Sequence, residues 1–145
     1  MDFPRRYKAR YAISMAAEIE KNVTLANGET ILYSGLVRER QNWLIEQPRL
    51  LALTPLRIIL LEHNLFSADW IHEIPRSVVT RISYERYWMG GFVELSYSDS
   101  GTVRLIRIRP MLRHVSETEN QTLFTILSAF HSGQLKSFVD SSVCA

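Results

Sequence analysis

The sequence predicts a mainly β fold with some α content: a seven-stranded bent antiparallel sheet or barrel capped by a C-terminal amphipathic helix, with an additional N-terminal helix. Three observations point there. Between Thr30 and Arg109 the chain offers seven β-branched and aromatic runs, separated by turn residues every 8 to 14 positions, which is the rhythm of a small sheet or barrel. After Pro110 a wide apolar stripe recurs at helical spacing, and such a stripe has to be buried against something. The 145 residues, 46 % apolar and 22 % charged, are enough for one core and sit within ordinary soluble composition.

Residues 5 to 25 predict the first helix, because Tyr7, Tyr11, Met15, Ile19 and Val23 recur every fourth position and so share one face. Asn27-Gly28 stops it, glycine accepting the left-handed conformation that ends a helix. The strands then run approximately over residues 30–38, 43–53, 57–62, 69–74, 79–86, 92–98 and 102–109. Pro48 cannot donate to a ladder, so its strand lies at an edge there, or is bulged or broken. Ile58-Ile59-Leu60-Leu61 is apolar without alternation, which predicts a strand covered on both faces. Alternation is clean in the last two strands, where Val93, Leu95 and Tyr97 oppose Glu94, Ser96 and Ser98, and Ile106 and Ile108 oppose Leu105, Arg107 and Arg109. The Ser98-Asp99-Ser100-Gly101 turn joins them as a hairpin. Ser116-Glu117-Thr118-Glu119 has the spacing of a capping box. It opens a helix whose stripe is Leu123, Phe124, Ile126, Leu127 and Phe130, with Gly133 as terminator. Domain organisation follows: an N-terminal helix over residues 1–26, a β domain over 27–133 and a frayed tail over 134–145.

Asn27-Gly28-Glu29-Thr30-Ile31-Leu32, then Leu51-Ala52-Leu53-Thr54-Pro55-Leu56-Arg57-Ile58, then Ile74-Pro75-Arg76-Ser77-Val78-Val79 together resemble the opening motifs of bacterial PH-like and GRAM-like domains of the pleckstrin-homology superfold. The resemblance spans roughly residues 27 to 131, the N-terminal helix lying outside it. It implies a scaffold for binding phosphoinositides, other membranes or protein partners. In that family the phosphoinositide site uses basic residues around the loop between the first two strands. The matching segment here, Arg38-Glu39-Arg40-Gln41-Asn42-Trp43, holds a glutamate between two arginines and no lysine, a departure that weakens the lipid reading.

Two candidate sites emerge. Arg38, Arg40 and Trp43 could clamp an anion, guanidiniums on phosphate oxygens and the indole at an interface; the structural alternative pairs the arginines with Glu39 or Glu46 and buries the tryptophan. Tyr87, Trp88 and Phe92 surround Gly90-Gly91 and carry the side chains that dominate recognition surfaces, or they fold inward. Leu65 and Phe66, in the His63–Ser67 loop, could dip into a bilayer or cap a barrel end. For the N-terminal helix, docking on the sheet or on another subunit is preferred to lying on a membrane.

Seventeen basic against fifteen acidic residues are too balanced for a polyanion trap. Residues 76–114 hold seven basic and three acidic side chains, but strand parity turns Arg104 away from Arg107 and Arg109. No helix-turn-helix, zinc-finger or RNP motif accompanies them, so nucleic acid is disfavoured. His63, His72, His114 and His131 are scattered, Cys144 is the lone cysteine, and no metal spacing, nucleophile elbow or phosphate loop occurs, which predicts neither metal nor cofactor and no catalysis. No stretch approaches the roughly 18 apolar residues of a spanning helix, and no export signal stands at Met1. The reading is a cytoplasmic, non-catalytic module that binds a protein partner, with an anionic membrane surface as the alternative.

Overall fold

The computed structural model describes residues 19–20, 23–42, 45–62, 71–87, 90–111 and 117–143, the side chains of Tyr87, Ser142 and Val143 excepted. Seven strands are present: β1 (Tyr33–Arg40), β2 (Glu46–Leu53), β3 (Arg57–Glu62), β4 (Ile71–Pro75), β5 (Val79–Tyr87), β6 (Gly90–Asp99) and β7 (Thr102–Pro110). They form one antiparallel sheet in the order β4-β3-β2-β1-β7-β6-β5. Two helices follow, α1 (Glu117–His131) and α2 (Leu135–Val143). Sequence and structure agree on all seven strands and on the capping helix.

The junction between β1 and β7 shapes the sheet. Pairing there is confined to Val37↔Pro110, Arg38↔Arg109 and Glu39↔Ile108. Residues 102–107 of β7 therefore pair with β6 on one side and with no strand on the other among the described residues. Pro48 is accommodated as expected for an edge, since pairing of β2 with β3 begins one residue later, at Arg49↔Glu62. The β6–β7 hairpin closes through Ser100 at φ 50° and Gly101 at φ 83°, and two positive φ values match the twist of the flanking strands.

Each face of the β2–β3 hairpin has its own core. On the inner face Leu51, Leu53, Ile58 and Leu60 pack with Val93, Leu95, Ile106 and Ile108 under Leu123, Leu127 and Phe130 of α1. On the outer face Leu50, Ala52, Ile59 and Leu61 pack with Ile19 and Val23. The unalternating apolar run of β3 is thus covered on both sides, and the described part of the N-terminal segment docks on the sheet. The remainder of the expected helix over residues 5–25 lies outside the described residues.

The expectation of a frayed tail is corrected. Gly133, at φ 79°, ends α1 with Gln134 N–H donating to Ala129 O at 2.8 Å and Gly133 N–H to Phe130 O at 3.1 Å, the paired bonds of a Schellman motif. The chain turns there and re-enters a helix, α2, whose Leu135 is 2 % exposed and whose Phe138 and Val139 rest on the main core. The i, i+3, i+4 spacing of those three residues was the available sign, over a stretch too short to read as a helix.

Candidate functional site

The resemblance motifs have a structural reason. Glu29 sits just before β1, and Thr54 and Arg57 flank the β2–β3 turn. Arg57 Nε and Nη2 donate to the two Glu29 oxygens at 3.0 and 2.9 Å, the bidentate fork favoured between arginine and carboxylate. Thr54 Oγ1 donates to Glu29 at 2.6 Å, and the Ala26 amide donates at 2.9 Å. The same Thr54 hydroxyl accepts the Leu56 and Arg57 amides at 3.2 and 3.1 Å. Arg57 further reaches Thr24 O and Glu73. Burial alone would raise the Glu29 carboxyl, but the hydrogen bonds from Arg57, Thr54 and Ala26 outweigh it and hold the group at about 2. Glu29 is therefore held as the charged partner of Arg57. Sequence reasoning met these residues as a motif without seeing that they are one network.

The two candidate sites meet on the outer face. Alternation along β1 turns Arg38 and Arg40 to the side opposite Val37, which is in the inner core. Arg109 stands across from Arg38 on β7, and Phe92 lies on the neighbouring β6. The guanidinium carbons of Arg40 and Arg109 each lie 5.0 Å from the Phe92 ring centroid, within cation–π range. Glu46 accepts from Arg109 Nη2 at 2.5 Å and lies 3.8 Å from Arg38 Nη1. Arg40 Nε also donates to Asn42 O at 3.2 Å. Arg109 Nε is buried without a hydrogen-bond partner among the described residues.

This arrangement alters what each predicted residue presents. Phe92 is 4 % exposed, and among the described residues the Arg40 and Arg109 guanidiniums lie against its ring. Arg38, with a side chain 43 % exposed, is the outward-facing member of the anion pair, whereas Arg40 lies over Phe92. Tyr87 ends β5 opposite Gly90. Trp43, Trp88, Leu65, Phe66, Arg113, His114, Ser116 and Cys144 lie outside the described residues, as does the Tyr87 side chain. An Arg40→Ala variant is expected to lose roughly 0.5–1 kcal/mol of stability through the cation–π contact, read by urea denaturation, while Arg38→Ala stays within about 0.5 kcal/mol.

The arginines of β7 are paired as strand parity requires. Arg104 reaches Asp99 at 3.2 Å, and Arg107 on the other face reaches Glu94 at 2.9 Å. His72 Nε2 lies 3.2 Å from the Tyr97 hydroxyl, and His131 Nε2 lies 3.0 Å from Val79 O. Burial pushes the Tyr33 phenol up to about 12. Among the described residues no three His, Cys, Asp or Glu side chains converge as metal ligands.

Val103 and Leu105, 66 % and 52 % exposed, stand on the outward face of β7, beside Arg107 and on the half of the strand that β1 leaves unpaired. Sequence reasoning placed Leu105 opposite Ile106 and Ile108 but assigned this pair no role. Their parity was the signal, and the missing neighbour on β1 was not readable.

No protein-family model matches the chain. No curated protein matches it either. Solved structures do match. The hSac2 domain from human phosphoinositide phosphatase Sac2 aligns with a TM-score of 0.62 at 14 % identity, over 89 % of this chain and 84 % of that one. The complex of PDZ-RhoGEF DH/PH domains with activated RhoA aligns with a TM-score of 0.56 at 11 % identity, over 83 % of this chain and 34 % of that one. The C-terminal domain of an unknown protein from Leishmania infantum aligns with a TM-score of 0.55 at 12 % identity, over 83 % of this chain and 97 % of that one. With the seven-stranded antiparallel sheet and its capping helix, the fold is pleckstrin-homology-like.

Proposed function

We propose that this chain is a non-catalytic binding module that holds a protein partner, and the observation that carries the reading is the exposed Val103–Leu105 pair on the half-open edge of β7. An unpaired strand edge offers backbone donors and acceptors to an incoming extended segment. Two aliphatic side chains beside it supply apolar area at the point of contact. Neither side chain has any share in the cores below, so the fold gains nothing from leaving them apolar. The Asn27–Leu32 and Leu51–Ile58 motifs support a GRAM-like affiliation of the bacterial type, and a cytoplasmic location goes with the reading.

The test is affinity purification of the tagged protein from its native cells, wild type beside Val103→Thr/Leu105→Thr. Threonine keeps strand propensity, and the double variant is expected to stay within about 0.5 kcal/mol of wild type while a specific partner is lost from the eluate. Retention of every partner by the variant would end this reading.

A second reading has its own support: Arg38, Arg40, Arg107 and Arg109 share the outer side of β1 and β7, opposed by Glu46 and Glu94. Such a face could meet anionic headgroups, each well-placed cation contributing about 1 kcal/mol. Among the described residues no helix is long and apolar enough to cross a membrane. Co-sedimentation with phosphatidylserine vesicles should weaken in Arg38→Ala/Arg40→Ala under this reading, and equal binding by both proteins would remove it.

A further inference from the structure

At the end of β1–β4 away from the β1–β2 turn, a cavity of about 90 Å³ opens between the sheet and the α1–α2 corner. Its walls are Leu32, Pro55, Phe130 and Leu135, and its polar lining comes from Arg76 and Lys136. Among the described residues no carboxylate lines it. Arg76 follows β4 directly, and its backbone N–H donates to Leu56 O at 2.8 Å, which fixes the base of the side chain. Gly133 lies against the guanidinium so closely that a Cβ there would come within 2.8 Å of Arg76 Nη1. Gly133 is already required by its φ of 79°, and the half-buried arginine lies over it.

Two cations line the cavity. Several arginines of the sheet pair with carboxylates: Arg49 with Glu39, Arg57 with Glu29, Arg104 with Asp99, Arg107 with Glu94 and Arg109 with Glu46, whereas the exposed Arg81 of β5 has no such partner among the described residues. Arg76, half-buried, and Lys136, exposed, line the same concave space and have no side-chain acceptor among the described residues. Two like charges at one concave surface repel each other, and an oxyanion bound there would offer acceptors to the half-buried Arg76 and to Lys136 at the rim. Guanidinium and ammonium groups bind such an anion through charge-assisted hydrogen bonds. The volume would hold several waters and therefore a phosphate or carboxylate group. The apolar walls suit a ligand whose charged end is attached to a small apolar body.

We propose that this cavity is a binding site for a small oxyanion, phosphate or carboxylate, held by Arg76 and Lys136 with its apolar portion on Leu32, Pro55 and Phe130. The site is separate from the β7 edge and from the Arg38–Arg109 face, so it stands or falls independently of the proposed protein-binding role.

The test is amide NMR titration of the full chain with inorganic phosphate and, in a separate arm, with isovalerate, at constant ionic strength. Saturable shifts centred on Leu32, Gly133 and Leu135 are expected in at least one arm. Saturation by phosphate alone assigns a phosphate-type ligand, and saturation by isovalerate alone a carboxylate-type ligand. Arg76→Gln and Lys136→Gln are each expected to weaken binding by about tenfold or more, with unchanged unfolding midpoints in probe-free buffer. The proposal is overturned if neither probe saturates in the millimolar range, if both variants bind as wild type does, or if the shifts centre on Arg38 and Arg109.

Discussion

Arg57→Ala is expected to lower the unfolding free energy by roughly 3–5 kcal/mol, because it leaves the Glu29 carboxylate buried with its principal counter-charge removed. Glu29 is 8 % exposed and receives donors from Arg57, Thr54 and Ala26; without the guanidinium two of those bonds vanish together. The midpoint of thermal unfolding should fall by about 10 °C for a chain of this size. Glu73→Gln is the control. Its carboxylate also meets Arg57 but its side chain is 43 % exposed, and an exposed pair of that kind contributes less than about 1 kcal/mol.

The same network sets a pH dependence whose sign is fixed. The folded Glu29 carboxyl is held at about 2, below its ordinary value of 4.5, so the unfolded chain binds the proton more readily. Its stabilisation is complete above about pH 4.5 and is lost as pH falls toward 2, amounting to roughly 3 kcal/mol over that window. Glu29→Gln should flatten this part of the acid limb. Parallel urea-denaturation profiles for wild type and Glu29→Gln between pH 5 and 2 would show that the carboxylate is not held as described.

Phe130→Ala is the second large effect, at about 3–5 kcal/mol. The ring is 0 % exposed and packs in the inner core with Leu123 and Leu127, where the rigid sheet limits how far the surroundings can collapse into the void. Phe130→Leu should cost noticeably less, since most of the volume remains. Leu105→Ala, at a 52 % exposed position, should change stability by no more than about 0.5 kcal/mol. Similar losses at positions 130 and 105 in urea denaturation would contradict the division between core and surface drawn above.

Much of the fold was legible because it is written in local period. The alternation of Val93, Leu95 and Tyr97, the Ser100-Gly101 turn and the unalternating Ile58–Leu61 run each state a backbone geometry or a burial pattern without reference to distant residues. The candidate site was less legible because its contacts are long-range. Glu29 and Arg57 lie 28 residues apart in sequence, and no period links them. Arg40 and Phe92 were assigned to different sites, and only the register of β1, β7 and β6 brings them together. Parity fixed which residues of β7 share a face with Leu105, but whether that face is covered depends on where β1 diverges, a property of the bent sheet. The helix α2 was missed because three apolar residues carry too little pattern.

The two-sided burial of β2 and β3 gives synthesis an order of events. Ile19 and Val23, which seal one side, precede these strands in the chain, so that side can close as soon as Leu61 has left the ribosome. The other side waits for Phe130. At translation speeds of about 5–20 residues per second the intervening stretch takes roughly 3 to 14 s, during which a nascent hairpin displays Leu51, Leu53, Ile58 and Leu60 to its surroundings, a natural substrate for a chaperone.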